Sequence, residues 1–195
     1  MPFWKNEKEI LIGLDKPIMK FIFAILLVGF TFIQCTKITS NENTKKIYTI
    51  ENAESLLPKP IGLVNDFTYT FTQGQRAELE KFLRDYSKRT TNQIVIVTVD
   101  EIQPYTNIND YATDLGNYWG VGTAEKNNSL VIVLNMKSRE IRISSGYGAE
   151  KVLSDEFLKK IIDEEIIPYF KQNNFYEGLM KGLNKIIEHW DKTSL

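Results

Sequence analysis

The chain has 195 residues, of which 43% are hydrophobic, and its formal net charge is -1 at pH 7. This length and composition suffice for one α/β domain with a tail, and two full domains are not expected. The near-zero charge, without a basic stripe interleaved with aromatic residues, argues against a nucleic-acid-binding protein. A single cysteine excludes an internal disulfide, and the only histidine is His189. Neither a catalytic triad nor a histidine-based zinc site is therefore expected.

The first 35 residues contain an apolar run, residues 21–33, preceded by Lys20 and followed by Cys35. This layout is typical of a secretory signal peptide, and the run is short for a membrane span. If translation begins at Met19, the segment looks like a bacterial lipoprotein signal, with Cys35 as the site of lipid attachment. The alternative is an uncleaved N-terminal anchor helix. In either case the rest of the chain is predicted to be exported and tethered to a membrane. The lipoprotein resemblance predicts that this membrane belongs to a bacterial cell envelope, with the domain on its periplasmic side.

Residues 36–59 are polar, with Asn, Thr, Ser and Lys clustered before two prolines, and show no sustained periodicity. This composition predicts a linker that lets a folded domain stand clear of the bilayer. The folded domain is predicted to occupy residues 60–192.

The first elements of that domain are marked by hydrophobic spacing and capping residues. A helix is predicted over residues 72–89, with Thr72 as its N-cap, because apolar residues recur at helical spacing. Residues 93–99 form an almost wholly apolar, β-branched run, which predicts a central strand. A second helix is predicted over residues 107–118, ended by Gly120 and Gly122.

The next stretch predicts two strands, a glycine turn and the start of a helix. Residues 130–134 are continuously apolar and residues 140–144 alternate, so they predict a buried strand, a hairpin loop and a more exposed neighbour. Helices are then predicted over residues 154–169, with Ser154 as N-cap, and over residues 174–190. This alternation of strands and helices indicates a three-layer α/β fold with a central sheet of about four strands.

Two groups of residues are candidates for a binding site. The first is a possible ligand turn, because glycine allows close approach of a ligand to the backbone. The second is a set of three carboxylates in predicted turns or helix starts, which folding could bring to one end of the sheet. The turn comprises Asn127, Asn128, Gly146, Tyr147 and Gly148, and the carboxylates are Asp66, Glu150 and Asp155.

Carboxylates supplemented by loop carbonyls suit a hard divalent cation, Ca²⁺ or Mg²⁺. The alternative is purely structural. Asp155 would then be a first-turn helix acid, Glu150 a surface charge and Asp66 the cap of a turn. Spacing alone does not separate the two interpretations.

The folded part resembles the TPM domain, a family found in bacterial envelope proteins and in a thylakoid-lumen protein of plants. The resemblance covers residues 58–190 and rests on short motifs that are specific only when taken together. These motifs are Val64-Asn65-Asp66, the strand of residues 93–99, Tyr111-Ala112, Trp119-Gly120-Val121-Gly122, Asn127-Asn128, the strand of residues 130–134, Ile141-Arg142-Ile143, Gly146-Tyr147-Gly148-Ala149-Glu150, Leu153-Ser154-Asp155 and Ile167-Pro168-Tyr169-Phe170. Ser129, Ala149 and the run Phe67-Thr68-Tyr69 depart from the usual pattern.

The resemblance implies a Rossmann-like sandwich, a divalent-cation site and phosphatase activity. Of the two hard cations, Ca²⁺ is expected over Mg²⁺. A bound ion makes phosphate-ester hydrolysis feasible by neutralising phosphoryl oxygens and activating water. No phosphate-binding loop motif or covalent phosphate acceptor accompanies it. Two hypotheses follow: a metal-dependent phosphatase, or a non-catalytic interaction module of an envelope protein complex. A solute-binding protein is a third class that the sequence leaves open.

Overall fold

The computed structural model describes residues 57–123 and 125–193. The predicted signal segment, Cys35 and most of the predicted linker lie outside these residues. No helix among the described residues is both long and apolar enough to cross a membrane.

The centre of the domain is one four-stranded sheet in the order β1-β2-β3-β4. The strands are β1 (Val64–Asp66), β2 (Gln93–Val99), β3 (Ser129–Asn135) and β4 (Glu140–Ser145). β1, β2 and β3 run parallel, whereas β4 pairs with β3 in the antiparallel direction. Every residue of β3 is buried, as its continuous apolar run predicted.

The helices lie on both faces of this sheet. They are α1 (Gln73–Thr90), α2 (Ile108–Trp119), α3 (Tyr147–Glu150), α4 (Asp155–Ile161), α5 (Ile167–Phe170) and α6 (Phe175–Thr193), with a π-helical turn (Ile162–Ile166) between α4 and α5. The predicted α/β sandwich is confirmed.

Capping residues mark where the first two long helices begin and where the second one ends. Thr72 accepts a hydrogen bond from the backbone N–H of Gln75, whose side chain bonds back to Thr72, forming a capping box at the start of α1. Asn107 caps α2 through the N–H of Asp110. α2 ends at Gly120, whose φ of 60° is left-handed and therefore suits glycine.

Among the described residues, the buried apolar side chains form two hydrophobic cores, one on each face of the sheet. One core joins α1, α4 and α6 to strand residues such as Ile132 and Ile143. The other joins α2 to the opposite side of the sheet through residues such as Val131 and Val133. Alternate strand residues therefore belong to different cores, as the period of two in a strand requires. In β4, Ile141 and Ile143 belong to the first core, whereas Arg142 lies on the face of the second.

Three features differ from the elements predicted from sequence. β1 is a strand of three residues where only the beginning of the domain was expected, and the glycine turn continues into the short helix α3. The predicted helix over residues 154–169 is interrupted by the π-helical turn that precedes Pro168. Because proline lacks an N–H and its ring crowds the preceding turn, a regular α-helix is disfavoured at this point.

Candidate functional site

Asp66 and the glycine turn lie at opposite ends of the sheet. Asp66 is aligned with Thr98 near the carboxyl end of β2, whereas Ser145 is aligned with Leu130 near the amino end of β3. This separation arises because β4 runs antiparallel and delivers the following turn to the far end. The expectation that Asp66, Glu150 and Asp155 meet at one end of the sheet is therefore wrong for Asp66.

The carboxylate of Asp66 is 3% exposed and holds the turn that follows β1. Its Oδ1 accepts hydrogen bonds from the backbone N–H of Thr70 at 2.9 Å and from Oγ1 of Thr98 at 2.7 Å. Its Oδ2 accepts from the N–H of Phe71 at 3.0 Å. These contacts match the structural alternative, in which Asp66 caps a turn.

The other two carboxylates line one polar cleft of about 330 Å³. It lies beside α2, at the end of β4, and is closed by the loop before β3 and by the glycine turn. Its polar lining residues are Thr113, Asn117, Asn127, Ser129, Arg142, Ser144, Ser145, Tyr147, Glu150 and Asp155. The structure thus brings Asn127, Gly146, Tyr147, Glu150 and Asp155 together, while Asn128 and Gly148 do not line the cleft.

The two glycines of the turn are required by close packing against the loop before β3. A Cβ on Gly146 would lie 2.4 Å from the carbonyl oxygen of Asn127, and one on Gly148 would lie 1.7 Å from that of Lys126. Gly146 itself has an ordinary φ of -72°. The close backbone approach expected at this turn therefore serves the protein's own chain.

The backbone N–H groups of both glycines are already used within the protein. Gly146 donates to the carbonyl of Ser129 at 2.9 Å, and Gly148 donates to that of Asn127 at 3.1 Å. Asn127 has a left-handed φ of 46°, which aims its carbonyl at the start of α3. Neither glycine N–H is free to bind an anion.

Asn128 holds the loop in place from within. Its Oδ1 accepts from the N–H of Thr123 at 3.2 Å, and its Nδ2 donates to the carbonyl of Thr91 at 2.9 Å and to Oδ1 of Asn92 at 3.1 Å. The side chain is buried. Its amide is therefore occupied by structural contacts.

Within the cleft, Arg142 is paired with one of the carboxylates. Its Nη2 donates to Oδ1 of Asp155 at 3.0 Å, and the Asp155 side chain is 64% exposed. Nε of Arg142 is buried and has no hydrogen-bond partner among the described residues. The side chain of Glu150 is exposed and makes no hydrogen bond with any of the described residues. Two carboxylates and one guanidinium give the cleft a net charge of -1.

The donor set of the cleft suits a hard cation. Carboxylate, hydroxyl and amide oxygens are the ligands that Ca²⁺ and Mg²⁺ take. The described residues contain no group of three or more His, Cys, Asp or Glu side chains that could hold a metal ion. Any cation here would therefore bind to Glu150 and Asp155 and depend on neutral oxygens or water for its remaining ligands.

Sequence reasoning did not assign Arg142 to the site, although a signal was present. In β4, Arg142 and Ser144 alternate with Ile141 and Ile143, so a period of two places them on the face opposite the isoleucines. Trp119, the last residue of α2, packs against the core on that face of the sheet and donates from Nε1 to the carbonyl of Pro58 at 2.7 Å.

The chain matches the model of one family, the TPM domain, over residues 64–189. No curated protein matches it significantly. Among solved structures, it is similar to the N-terminal domain of a protein from P. gingivalis, with 28% identity, a TM-score of 0.62, and coverage of 76% of this chain and 94% of the other.

Two further solution structures share the fold at lower identity. The BA42 protein of Bizionia argentinensis is 22% identical, with a TM-score of 0.57 and coverage of 65% of this chain and 85% of the other. The N-terminal domain of the cg2496 protein of Corynebacterium glutamicum is 13% identical, with a TM-score of 0.51 and coverage of 72% and 86% respectively.

Proposed function

Because the chain belongs to the TPM domain family, we propose that it binds a divalent cation in the cleft through Glu150 and Asp155. The observation that carries the proposal is the presence of two exposed carboxylates in one polar cleft. Asp66 has no part in this site, because it lies at the other end of the sheet and its oxygens accept buried hydrogen bonds.

We expect Ca²⁺ to bind more tightly than Mg²⁺. Ca²⁺ accepts six to eight oxygen ligands in a flexible geometry, whereas Mg²⁺ requires a near-ideal octahedron and keeps several of its waters. Exposed carboxylates such as Asp155 can adjust to the larger ion. The hydroxyls of Ser144 and Ser145 and the amide of Asn127 offer neutral oxygens at the same cleft.

We further propose that any phosphatase activity of this cleft depends strictly on the cation. The cleft carries a net charge of -1, which repels a phosphomonoester. A bound divalent ion supplies positive charge for the phosphoryl oxygens and lowers the pKa of a bound water.

A second candidate is a non-catalytic accessory module of an envelope protein complex. The glycine turn supports it, because the N–H groups of its two glycines are bonded to the Ser129 and Asn127 carbonyls and do not bind an anion. In that case, the ion would serve to order the loops around the cleft.

The proposed setting is the bacterial cell envelope, on the periplasmic side of a membrane, with Cys35 as the lipid-attachment site. The apolar run of residues 21–33 before this cysteine supports the proposal. Metabolic labelling with a fatty acid tests it in the producing bacterium. Label in the wild type and none in Cys35→Ser is expected, whereas label in neither would favour the uncleaved anchor helix.

Calorimetric titration of the full chain with Ca²⁺ and Mg²⁺ tests the cation proposal. Glu150→Gln and Asp155→Asn should each weaken Ca²⁺ binding at least about tenfold, because each removes one of two charged ligands. Glu164→Gln is the matched control, since Glu164 lies outside the cleft in the π-helical turn. Unchanged affinity in both cleft variants would overturn the proposal.

Turnover of p-nitrophenyl phosphate then separates the two candidate functions. A phosphatase loses turnover in Asp155→Asn and on chelation of the ion. An accessory module binds the ion but shows no turnover that is lost in Asp155→Asn or on chelation.

A further inference from the structure

β4 is the last strand of the sheet, so one of its sides pairs with no other strand among the described residues. The hydrogen bond from Gly146 N–H to the Ser129 carbonyl fixes which residues form the ladder with β3. Hydrogen-bonded pairs alternate along an antiparallel ladder, so Ser144, Arg142 and Glu140 bond to β3. The backbone groups of Ile141, Ile143 and Ser145 therefore face outward.

An ion pair crosses this outer side of β4. Arg142 lies on the face covered by α2, because its partner in the register is Val133 of the α2 core. Asp155 begins α4, which packs on the opposite face. Since β4 is the edge strand, the contact between them passes around the edge. The backbone of Ile143 faces this edge, and its side chain is buried in the core that α4 shares.

A groove of about 550 Å³ follows the same edge between the start of α2 and the segment from α4 to the π-helical turn. Its charged lining residues are Glu140, Asp155, Glu156, Asp163, Arg142 and Lys159. Four carboxylates against two cations leave a net charge of -2. Apolar side chains, among them Ile108 and Ile162, complete the lining.

We propose that the outer edge of β4 is a docking site for an extended, basic peptide segment of a partner protein, and that the Arg142–Asp155 pair covers this edge until the peptide binds. An added strand bonds to the outward N–H and C=O groups of Ile141, Ile143 and Ser145, which is β-strand addition. A basic side chain of the peptide takes the place of Arg142 on Asp155. This inference does not depend on catalysis, and because the peptide and the proposed cation would compete for Asp155, peptide binding is measured without added divalent cation.

The charge of the groove selects this partner over a second copy of the chain. Two copies joined edge to edge would bring two acidic rims together, which is unfavourable. A basic peptide meets the same rim with opposite charge. Edge strands left uncovered also promote aggregation, so an ion pair that covers the strand suits a protein that uses this edge on demand.

The test uses the full chain and two sets of peptides of about six residues, a typical strand length. One set alternates Lys or Arg with β-branched residues, and the other carries Glu at the same positions. Binding is followed by fluorescence polarisation, and amide hydrogen exchange is followed by NMR. We expect members of the basic set to bind and to protect the amides of Ile141, Ile143 and Ser145.

Three variants test whether the ion pair and the acidic rim control peptide binding. Arg142→Gln removes the cover and should tighten peptide binding about fivefold, whereas Glu156→Lys reverses a rim charge and should weaken it about fivefold. Glu164→Lys makes the same change outside the groove and should have no effect.

The proposal is overturned if no basic peptide binds the folded protein. Equal binding of the acidic set would contradict it, and so would binding without protection of the three amides. Protection that appears without peptide, together with a dimer in sedimentation equilibrium, would assign the edge to a second copy instead. None of these outcomes bears on the cation titration, so the two proposals fail separately.

Discussion

Arg142 and Asp155 belong to opposite faces of the sheet and meet at its edge, with Nη2 of the arginine 3.0 Å from Oδ1 of the aspartate. The pair fixes the position of a proposed cation ligand while occupying one of its two oxygens. Asp155 is therefore held at the cleft by a residue that also competes for its charge.

Arg142→Gln is expected to raise Ca²⁺ affinity about fivefold, because it removes a positive charge beside the proposed ligand and frees Oδ1. The free energy of unfolding should change by less than about 1 kcal/mol, since the pair is partly exposed. Calorimetric titration and urea unfolding measure the two effects. Weaker Ca²⁺ binding in this variant would mean that Arg142 is needed to orient Asp155.

Asp66→Ala is expected to lower the free energy of unfolding by about 3 kcal/mol. It leaves the N–H groups of Thr70 and Phe71 and the hydroxyl of Thr98 without their acceptor in a buried site. Urea unfolding measures the loss. Ca²⁺ affinity of the protein that remains folded should equal that of the wild type, and a large drop would return Asp66 to the list of ligands.

Gly148→Ala should lower the free energy of unfolding by about 3 kcal/mol or more, because its Cβ would lie 1.7 Å from the carbonyl oxygen of Lys126. The control is Gly74→Ala in α1, where the added methyl meets nothing within 4 Å. Alanine is favoured over glycine in a helix, so this variant should gain up to about 1 kcal/mol. Thermal unfolding of the two variants measures both effects. A similar loss of unfolding free energy in Gly148→Ala and Gly74→Ala would contradict the packing argument.

Ionisation of Tyr111 makes the free energy of unfolding depend on pH in the alkaline range. Burial raises the pKa of Tyr111 from 10.0 to about 12. The folded state thus favours the neutral phenol, and this contribution to stability is complete below pH 10 and is lost as the pH rises towards 12. Tyr111→Phe should flatten the fall in unfolding free energy between pH 10 and 12. An unchanged slope in urea unfolding series would contradict this assignment.

The fold followed from sequence because its signals are local. The apolar runs of β2 and β3, the Thr72 capping box and the glycine after α2 each specify an element without reference to the rest of the chain. The TPM resemblance supplied the arrangement of these elements, and the family match agrees with it.

The site was only partly predictable, because it depends on the direction of one strand. Glu150 and Asp155 follow β4 closely and were expected beside the glycine turn, where they lie. Asp66 was misplaced because the end of the sheet that each loop reaches depends on whether β4 is parallel or antiparallel. The hairpin predicted between β3 and β4 already implied the antiparallel direction, and applying it would have separated Asp66 from Glu150.

The most direct test of the cation site is an NMR titration of the full chain with Ca²⁺, followed through its backbone amide signals. We expect saturable shifts to be largest at Asn127, Gly146, Tyr147, Glu150 and Asp155, and to be absent at Thr70 and Phe71 beside Asp66. Asp155→Asn should move the shifts at Glu150 and Tyr147 to Ca²⁺ concentrations at least about tenfold higher. Shifts centred on Thr70 and Phe71, or no saturable shift in the folded protein, would contradict the assignment of the cation to this cleft.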